Sequence, residues 1–288
     1  MASKSSKPGW LRYKSSLVVV VLVLLVVGGS VGAYELMGSD RTVQSGDLVK
    51  VNYIGKLPNG QVFDTSLYSV ATDNATYPKA LCFSFRGNSS TYTTLSFTVG
   101  KDSMIEGFEN GVMGMKAGET KTFVITPDEA YGDANTSKIT TMNLTETIPV
   151  QKTMSVTEFK AYFGESPTKF TLYTDPNYGW TVWTTMVDSS NVVLQNQPVN
   201  GTTYKAFDSS TDPSYGWNIT AEYDSTGTNI IIHHHLDASS AMTVKGIDSS
   251  TTLYVTGVDE SAGTAVIDKN NQILGKDLTF TVTVVSIG

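Results

Sequence analysis

Apolar and polar residues alternate along several segments of the chain, and this alternation predicts strands. In the segment GDLVKVNYIGKL, which begins at Gly46, the side chains of Val49, Val51 and Tyr53 share one face. A period of two residues with one apolar face is typical of a half-buried strand. Asn59-Gly60 follows and predicts a hairpin turn, because both residues tolerate a positive φ. Three later segments repeat the strand pattern: Leu95–Val99, Thr120–Ile125 and the run LTFTVTV from Leu278.

A short helix is predicted between Ile105 and Met115, where apolar side chains recur every three or four residues. Gly107, Gly111 and Gly114 fall within this segment, and each glycine lowers helix propensity. We therefore expect the backbone of this helix to pack closely against the sheet.

The N-terminal part of the chain contains an unbroken run of valine and leucine from Leu17 to Val27. About twenty helical residues span roughly 30 Å, which is the thickness of the hydrocarbon core of a bilayer. Four basic residues precede the run, and positively charged flanks stay on the cytoplasmic side.

This pattern predicts a single-pass cell-membrane protein with a cytoplasmic N-terminus and an extracytoplasmic C-terminal body. The expected parts are a basic tail over residues 1–16, a transmembrane anchor over residues 17–34 and a linker over residues 35–45. A cleaved signal peptide is the alternative, because Val31-Gly32-Ala33 offers small residues for cleavage.

Composition excludes several classes of protein. The chain of 288 residues is 40% apolar and 16% charged, which is typical of a folded protein. Its net charge is −7, and four of its 20 basic residues lie in the N-terminal tail, so the body is more acidic still. Nucleic acid is therefore not an expected partner. The single cysteine, Cys82, excludes an intramolecular disulfide and a zinc site made of thiolates.

Three sequence blocks, in this order, resemble the FKBP-type peptidyl-prolyl cis/trans isomerases: GDLVKVNYIGKLPNGQVFDTS, LSFTVGKDSMIEGFENGVMGMKAGETKTFVITPDEAYG and LTFTVTVVSI. The resemblance covers residues 46–132 and 263–288. It implies an α+β fold in which a bent antiparallel sheet wraps round a short helix. About 130 residues intervene, which is similar to the insert-in-flap members of the SlyD-like and long archaeal types. This similarity implies a large, mostly β inserted domain over residues 133–262.

The resemblance also implies an activity, which is cis/trans isomerisation of X-Pro bonds in proline-containing or unfolded polypeptides, without a cofactor or a metal ion. Rotation about such a bond crosses a barrier of roughly 18–20 kcal/mol, because amide resonance is lost as the bond twists. A dry pocket that favours the twisted amide lowers this barrier without a nucleophile.

The resemblance assigns the family's site residues to matching positions of this chain. The resemblance assigns catalytic roles to Tyr53, Asp64, Ile105 and Tyr131, and it assigns the walls of the proline pocket to Phe63, Phe97, Met104, Phe108 and Phe280. The Tyr131 hydroxyl and the Ile105 backbone N–H are expected to donate to the bound peptide. Asp64 is expected to accept from Tyr53. Two positions depart from the common pattern: Phe108 stands where tryptophan is frequent, and Leu95 where phenylalanine is frequent.

The expected inserted domain contains a duplication. The segment Asp175-Pro176-Asn177-Tyr178-Gly179-Trp180 recurs 37 residues later as Asp212-Pro213-Ser214-Tyr215-Gly216-Trp217, which predicts two related β-units. Before them, Ser155-Val156-Thr157-Glu158 is a capping box that predicts a short helix through Phe163. The tryptophans either form the core of the insert or remain exposed as a surface for unfolded chains.

Other candidate sites are weaker. Neighbouring residues on a strand point to opposite faces, so at most two of His233, His234 and His235 can share a metal ion. Asp64, Glu106 and Glu109 suggest the paired carboxylates of a hydrolase, but no histidine-activated nucleophile accompanies them. We therefore expect a membrane-anchored isomerase with a chaperone-like insert that acts on exported or cell-surface proteins. The alternative is a non-catalytic surface binding module on the same fold.

Overall fold

The computed structural model describes residues 41–101 and 103–288. The expected cytoplasmic tail, the transmembrane anchor and the first part of the linker lie outside the described residues. Among the residues that are described, no helix has both the length and the apolar character needed to cross a bilayer.

The described residues form seventeen strands and three α-helices. The strands are β1 (Leu48–Lys56), β2 (Val62–Thr65), β3 (Leu95–Thr98), β4 (Thr120–Ile125), β5 (Ile139–Asn143), β6 (Thr145–Pro149), β7 (Gln151–Ser155), β8 (Leu172–Thr174), β9 (Thr181–Val187), β10 (Asn191–Gln197), β11 (Thr203–Ala206), β12 (Trp217–Tyr223), β13 (Asn229–His234), β14 (Lys245–Asp248), β15 (Thr251–Asp259), β16 (Thr264–Asp268) and β17 (Leu278–Ile287). The helices are α1 (Tyr68–Thr72), α2 (Glu106–Val112) and α3 (Val156–Phe163).

The first sheet contains five antiparallel strands in the order β2-β1-β17-β4, and β3 also pairs with β1. The predicted alternation is confirmed on β1, where Val49 and Val51 are buried and Tyr53 is half-buried. Helix α2 packs against this sheet through Phe108 and Val112, which belong to the same core as the apolar face of β17. The α+β arrangement of a sheet and a short helix is therefore present.

The predicted hairpin between β1 and β2 is present. Gly60 has a φ of 85°, whereas Asn59 does not have a positive φ. The Gly60 N–H donates to the Leu57 carbonyl at 2.9 Å. Pro58 therefore occupies the second position of a four-residue turn, where its fixed φ is favourable.

Close packing of α2 is confirmed at two of its glycines. A Cβ on Gly111 would lie 2.1 Å from the ring of Phe123, and a Cβ on Gly107 would lie 2.2 Å from the Cγ2 of Ile125. No larger residue fits there, so the low helix propensity of glycine is offset by contact with β4.

The chain between β4 and β17 forms three further antiparallel sheets, and we call residues 133–277 the intervening region. Each sheet has four strands, in the orders β7-β10-β9-β8, β11-β12-β13-β6 and β14-β15-β16-β5. These sheets share a hydrophobic core of their own, which includes Phe159, Trp180, Trp217, Ile219 and Ile232. Trp180 and Trp217 are only 1% and 5% exposed, so of the two alternatives for these tryptophans the core is correct.

The second boundary of the intervening region lies later than expected. The sequence analysis assigns residues 263–288 to the same domain as the first sheet. However, β16 pairs with β5 and β15 and so belongs to a sheet of the intervening region. The change of sheet follows at Asn270, whose side chain accepts from Asn135 N–H and donates to the Asn135 carbonyl, both at 3.0 Å. Gly275 N–H then bonds to the Gly132 carbonyl at 2.9 Å. The two connecting segments are therefore held together.

Local signals in the intervening region are confirmed. Ser155 Oγ accepts from Glu158 N–H while Glu158 accepts from Ser155 N–H, and α3 ends at Gly164 with a φ of 76°. Both copies of the repeated motif form the same turn, because Asp175 Oδ1 accepts from Asn177 N–H and Asp212 Oδ1 accepts from Ser214 N–H.

Candidate functional site

A cavity of about 380 Å³ opens between α2, the first sheet and the loop after β4. Ten residues line it: Tyr53, Phe63, Asp64, Leu95, Ser103, Met104, Ile105, Phe108, Tyr131 and Phe280. Eight of the nine residues that the sequence assigns to the site are among them. The structure therefore brings together residues from four strands, one helix and two loops.

Strand register places the central side chains of this cavity. Gly55 lies opposite Asp64 on β2 and opposite Phe280 on β17. A Cβ on Gly55 would lie 2.7 Å from the ring of Phe63 and 3.1 Å from the ring of Phe280. Only glycine at this position lets both rings approach the strand and meet at the cavity.

The apolar wall consists of aromatic rings in edge-to-face contact. The centroids of Phe108 and Phe280 are 5.2 Å apart, and those of Phe63 and Phe280 are 5.6 Å apart, with interplanar angles of 78° and 88°. This geometry is favourable for aromatic quadrupoles and fixes the rings. Phe97 does not line the cavity, which corrects its expected role. It is 4% exposed and packs behind Phe108, with ring centroids 5.8 Å apart.

A carboxylate network forms the polar side of the cavity. Tyr53 donates its hydroxyl proton to Asp64 Oδ2 at 2.5 Å, and Thr65 N–H donates to Asp64 Oδ1 at 2.8 Å. Burial and the adjacent Asp64 raise the pKa of Tyr53 well above its ordinary value of 10.0, so its hydroxyl remains a donor. The sequence analysis missed Arg86, which donates to Asp64 Oδ1 at 2.8 Å and also to the Thr65 carbonyl.

Two donors at the cavity make no hydrogen bond to any other described residue. They are the Tyr131 hydroxyl and the Ile105 backbone N–H. Tyr131 is 46% exposed. The pKa of its hydroxyl is raised, mainly by partial burial and to a smaller extent by the negative charge of Asp64. Both groups are therefore available to the carbonyl oxygens of a bound peptide.

The residues that sequence reasoning missed have weak signals. Arg86 is one of only three arginines in the chain, yet it lies in a long segment between β2 and β3 without any periodic pattern. Ser103 is an exposed residue in the loop before α2. No spacing rule connects either residue with the cavity, and only the folded chain brings them to it.

Other candidate groups lie elsewhere. Trp217 donates its indole N–H to His234 Nδ1 at 2.9 Å, so Nε2 carries the proton and faces Glu146 Oε1 at 3.1 Å. His234 thus uses both nitrogens inside the fold, and the described ranges contain no group of three metal-ligating side chains. Cys82 is half-buried, and burial raises the pKa of its thiol to about 11, so it is protonated at neutral pH.

Comparison with known proteins points to one family. The profile of the FKBP-type peptidyl-prolyl cis-trans isomerases matches residues 39–155. A short-type peptidyl-prolyl cis-trans isomerase of Methanocaldococcus jannaschii is 41% identical over 91 residues, which cover 31% of this chain and 51% of that relative. FK506-binding protein 4 of Chaetomium thermophilum is 38% identical over 96 residues, which cover 33% of this chain and 15% of that relative. This chain thus spans about half the length of the first relative and 15% of the second.

A smaller relative decides the family. FK506-binding protein 1A of Neurospora crassa is 34% identical over 105 residues, which cover 36% of this chain and 69% of that relative. The chain belongs to the FKBP-type peptidyl-prolyl cis-trans isomerase family. We call the first sheet together with α2 the FKBP part, and the cavity lies within it. The profile match begins before β1 and continues to the end of β7. The family assignment by the profile therefore rests on residues 39–155.

Proposed function

We propose that this protein catalyses the cis/trans isomerisation of X-Pro bonds and that the cavity between α2 and the first sheet is its active site. The observation that supports the proposal most directly is that an aromatic wall, the Asp64 carboxylate and two donors without a partner among the described residues meet in one cavity. The wall accepts a proline ring, whereas the donors can hold the carbonyl groups on either side of it.

The mechanism requires a difference in binding between the planar and the twisted amide. A twisted amide has lost its resonance and part of its dipole. Transfer from water into an apolar cavity therefore costs less free energy for the twisted amide than for the planar amide. In this proposal Ile105 N–H and the Tyr131 hydroxyl hold the peptide, while Phe63, Met104, Phe108 and Phe280 surround the ring. Asp64, held by Tyr53, places its charge beside the twisting carbonyl.

The direct test is the exchange rate of a short X-Pro peptide, measured by NMR with and without the complete chain. We expect catalysed exchange far above the uncatalysed rate, whose time constant is tens to hundreds of seconds, with apolar residues preferred before the proline. A heat-denatured sample is the control. Binding of the peptide without any change in exchange would instead indicate a non-catalytic binding module.

We also propose that the intervening region holds unfolded polypeptides beside the active site, as a chaperone domain. An exposed apolar patch supports this, and we call Phe170, Leu172 and Trp183 the edge patch. Phe170 and Leu172 are 64% and 63% exposed, and Leu172 lies opposite Trp183 on the neighbouring strand. Strand β8, which carries Leu172, is at the edge of its sheet. Exposed apolar groups of this kind are typical of surfaces that bind other chains.

This second proposal is tested with an unfolded protein whose refolding is limited by proline isomerisation. Replacing residues 136–269 by a short Gly/Ser bridge should retain activity on short peptides and lower activity on the protein by roughly tenfold, because a tethered second site raises the local substrate concentration. Phe170→Ser with Leu172→Ser should reproduce part of the loss. Val199→Ser is the matched control, since Val199 is also 64% exposed. Equal refolding activity with and without the region would contradict a chaperone role.

We further propose that residues 17–34 anchor the protein in the cell membrane with the body outside the cytoplasm. The unbroken apolar run and the four basic residues before it support this orientation. Protease added outside intact cells should digest the body and spare the basic tail. Protection of the body until lysis would reverse the orientation, and a mature N-terminus near Ala33 would indicate a cleaved signal peptide.

A further inference from the structure

A second cavity, of about 300 Å³, lies in the intervening region beside the first copy of the repeated motif. Asp175 lines it and is only 6% exposed. Its Oδ1 accepts three hydrogen bonds, from the Tyr162 hydroxyl and from the backbone amides of Asn177 and Tyr178. Its Oδ2 accepts none from the described part of the chain. The Asp175 carboxylate therefore presents, at an open cavity, an oxygen that has no partner in the described part of the chain and can accept one from a ligand.

The second copy of the motif shows which partner this arrangement takes. There, Asp212 Oδ1 accepts the same turn hydrogen bond, and Asp212 Oδ2 pairs with the ammonium of Lys245 at 3.8 Å. The same ammonium lies 4.3 Å from the ring centroid of Tyr215. The ammonium also donates to the Leu81 carbonyl at 3.3 Å. The motif itself thus contributes an ion pair from its aspartate and a cation–π contact from its tyrosine.

The first copy has no such lysine in place. Lys245 runs beside the second copy, where its carbonyl accepts from Gly216 N–H at 2.8 Å. Lys205 is a lysine close to the first copy, since its carbonyl lies 3.4 Å from the position of a Cβ on Gly179. However, the Lys205 ammonium donates to the Pro213 carbonyl at 2.7 Å and pairs with Asp208 at 3.1 Å. Among the described residues, no cationic group lies within 4 Å of Asp175.

We infer that the cavity beside Asp175 binds a primary ammonium group from outside the chain, with a lysine side chain of a bound polypeptide as the occupant. The ammonium pairs with Asp175 Oδ2 and approaches the rings of Tyr162 and Tyr178. The methylene stem lies against Met154 and Leu194, two buried apolar residues that also line the cavity. The long apolar stem selects lysine over a small ammonium ion, and the carboxylate selects it over an uncharged side chain of the same length.

Lys152 is the one competitor that the chain itself supplies. It lines the same cavity, and its side chain is exposed and forms no ion pair within 4 Å with any residue that the structure describes. An experiment on the cavity must therefore separate an external lysine from an inward movement of Lys152.

The test uses the complete chain in detergent and two probes, Nα-acetyl-lysine methylamide and its uncharged analogue Nα-acetyl-norleucine methylamide. Binding is measured by calorimetry and by saturation-transfer NMR of the probe. We expect the lysine probe to bind at least ten times more tightly than the norleucine probe. Asp175→Asn should remove this preference, whereas the matched control Asp212→Asn should leave it unchanged, because Lys245 already fills the second copy.

Three results would overturn the inference. Equal affinity for both probes in the wild-type chain would show that the carboxylate does not select the ligand, and this comparison needs no variant to fold. An unchanged preference in a folded Asp175→Asn variant would place the binding elsewhere. Lysine binding that occurs only after Lys152→Ala would show that the chain's own lysine fills the cavity. None of these results depends on isomerase activity.

Discussion

The hydroxyl of Tyr53 lies 2.5 Å from Asp64 Oδ2, and this hydrogen bond aims the carboxylate at the active-site cavity. The other oxygen, Oδ1, accepts from Arg86 and from Thr65 N–H. With both oxygens held, the carboxylate has one orientation toward a bound peptide. A preoriented charge needs no reorganisation when the amide twists, which is the condition for electrostatic catalysis.

Removal of this charge should slow the reaction. We expect Asp64→Ala to lower kcat/KM on a short X-Pro peptide by about tenfold, which corresponds to about 1.4 kcal/mol of transition-state stabilisation. NMR exchange measures the rate, and circular dichroism checks the fold. Asp277→Ala is the control, because Asp277 is exposed and does not line the cavity. Wild-type kcat/KM in Asp64→Ala would remove Asp64 from the mechanism.

The Tyr131 hydroxyl should act mainly in binding. A hydrogen bond of this kind contributes about 0.5–1.5 kcal/mol, so Tyr131→Phe should raise KM by roughly two- to tenfold with little change in kcat. Peptide titration followed by NMR provides the affinity. Tyr68→Phe is a suitable control, since Tyr68 is exposed and does not line the cavity. A fall in kcat with unchanged affinity would instead place Tyr131 in the chemical step.

Gly55 should be intolerant of any side chain. In Gly55→Ala the new Cβ meets the rings of Phe63 and Phe280, and crowding of this kind typically costs about 1–3 kcal/mol. We expect lower stability in denaturant and weaker peptide binding in the same variant, because both rings line the cavity. Gly257→Ala provides the comparison, since its nearest neighbour is 3.7 Å from the added Cβ. Equal stability of the two variants would contradict the close approach.

The intervening region should lose stability without loss of peptide isomerisation when Trp180 is truncated. Trp180 stacks on Tyr178 at 4.5 Å and donates to Asn196 Oδ1 at 3.2 Å. Trp180→Ala should therefore destabilise this region by about 3–5 kcal/mol. Denaturant unfolding monitored by fluorescence gives the stability, and the short-peptide assay gives the activity. A parallel loss of short-peptide activity would mean that the active site depends on the core of this region.

The thiol of Cys82 should react slowly at neutral pH. Burial raises its pKa from 9.0 to about 11, and the thiolate is the reactive form. The alkylation rate should thus rise about tenfold per pH unit between pH 7 and 10. The protonated thiol stabilises the folded protein, and this contribution is complete below pH 9 and is lost as the pH rises toward 11. A rate that levels off just above pH 9 would indicate an ordinary exposed thiol.

Several features were predictable because they depend on local rules. Alternation placed β1 and β17, since one face of each strand packs on a core, and the Ser155-Glu158 capping box placed the start of α3. The cavity residues were predictable for a different reason: their family motifs occur at fixed places on strands whose register the fold preserves. Phe97 shows the limit of that reasoning, because the motif does not tell whether a ring lines the cavity or packs behind Phe108.

Periodicity and spaced motifs are enough to identify the strand-forming segments, the family of the FKBP part and most of its cavity residues. The folded arrangement fixes which surfaces are covered. It buried Trp180 and Trp217 in a core, paired β16 with β5, and joined Arg86 to Asp64. The physical reason is that periodicity shows which face of a strand is apolar, but the partner that covers that face comes from a distant part of the chain. Likewise, a carboxylate selects its cation by distance in the folded protein, which the spacing along the chain does not encode.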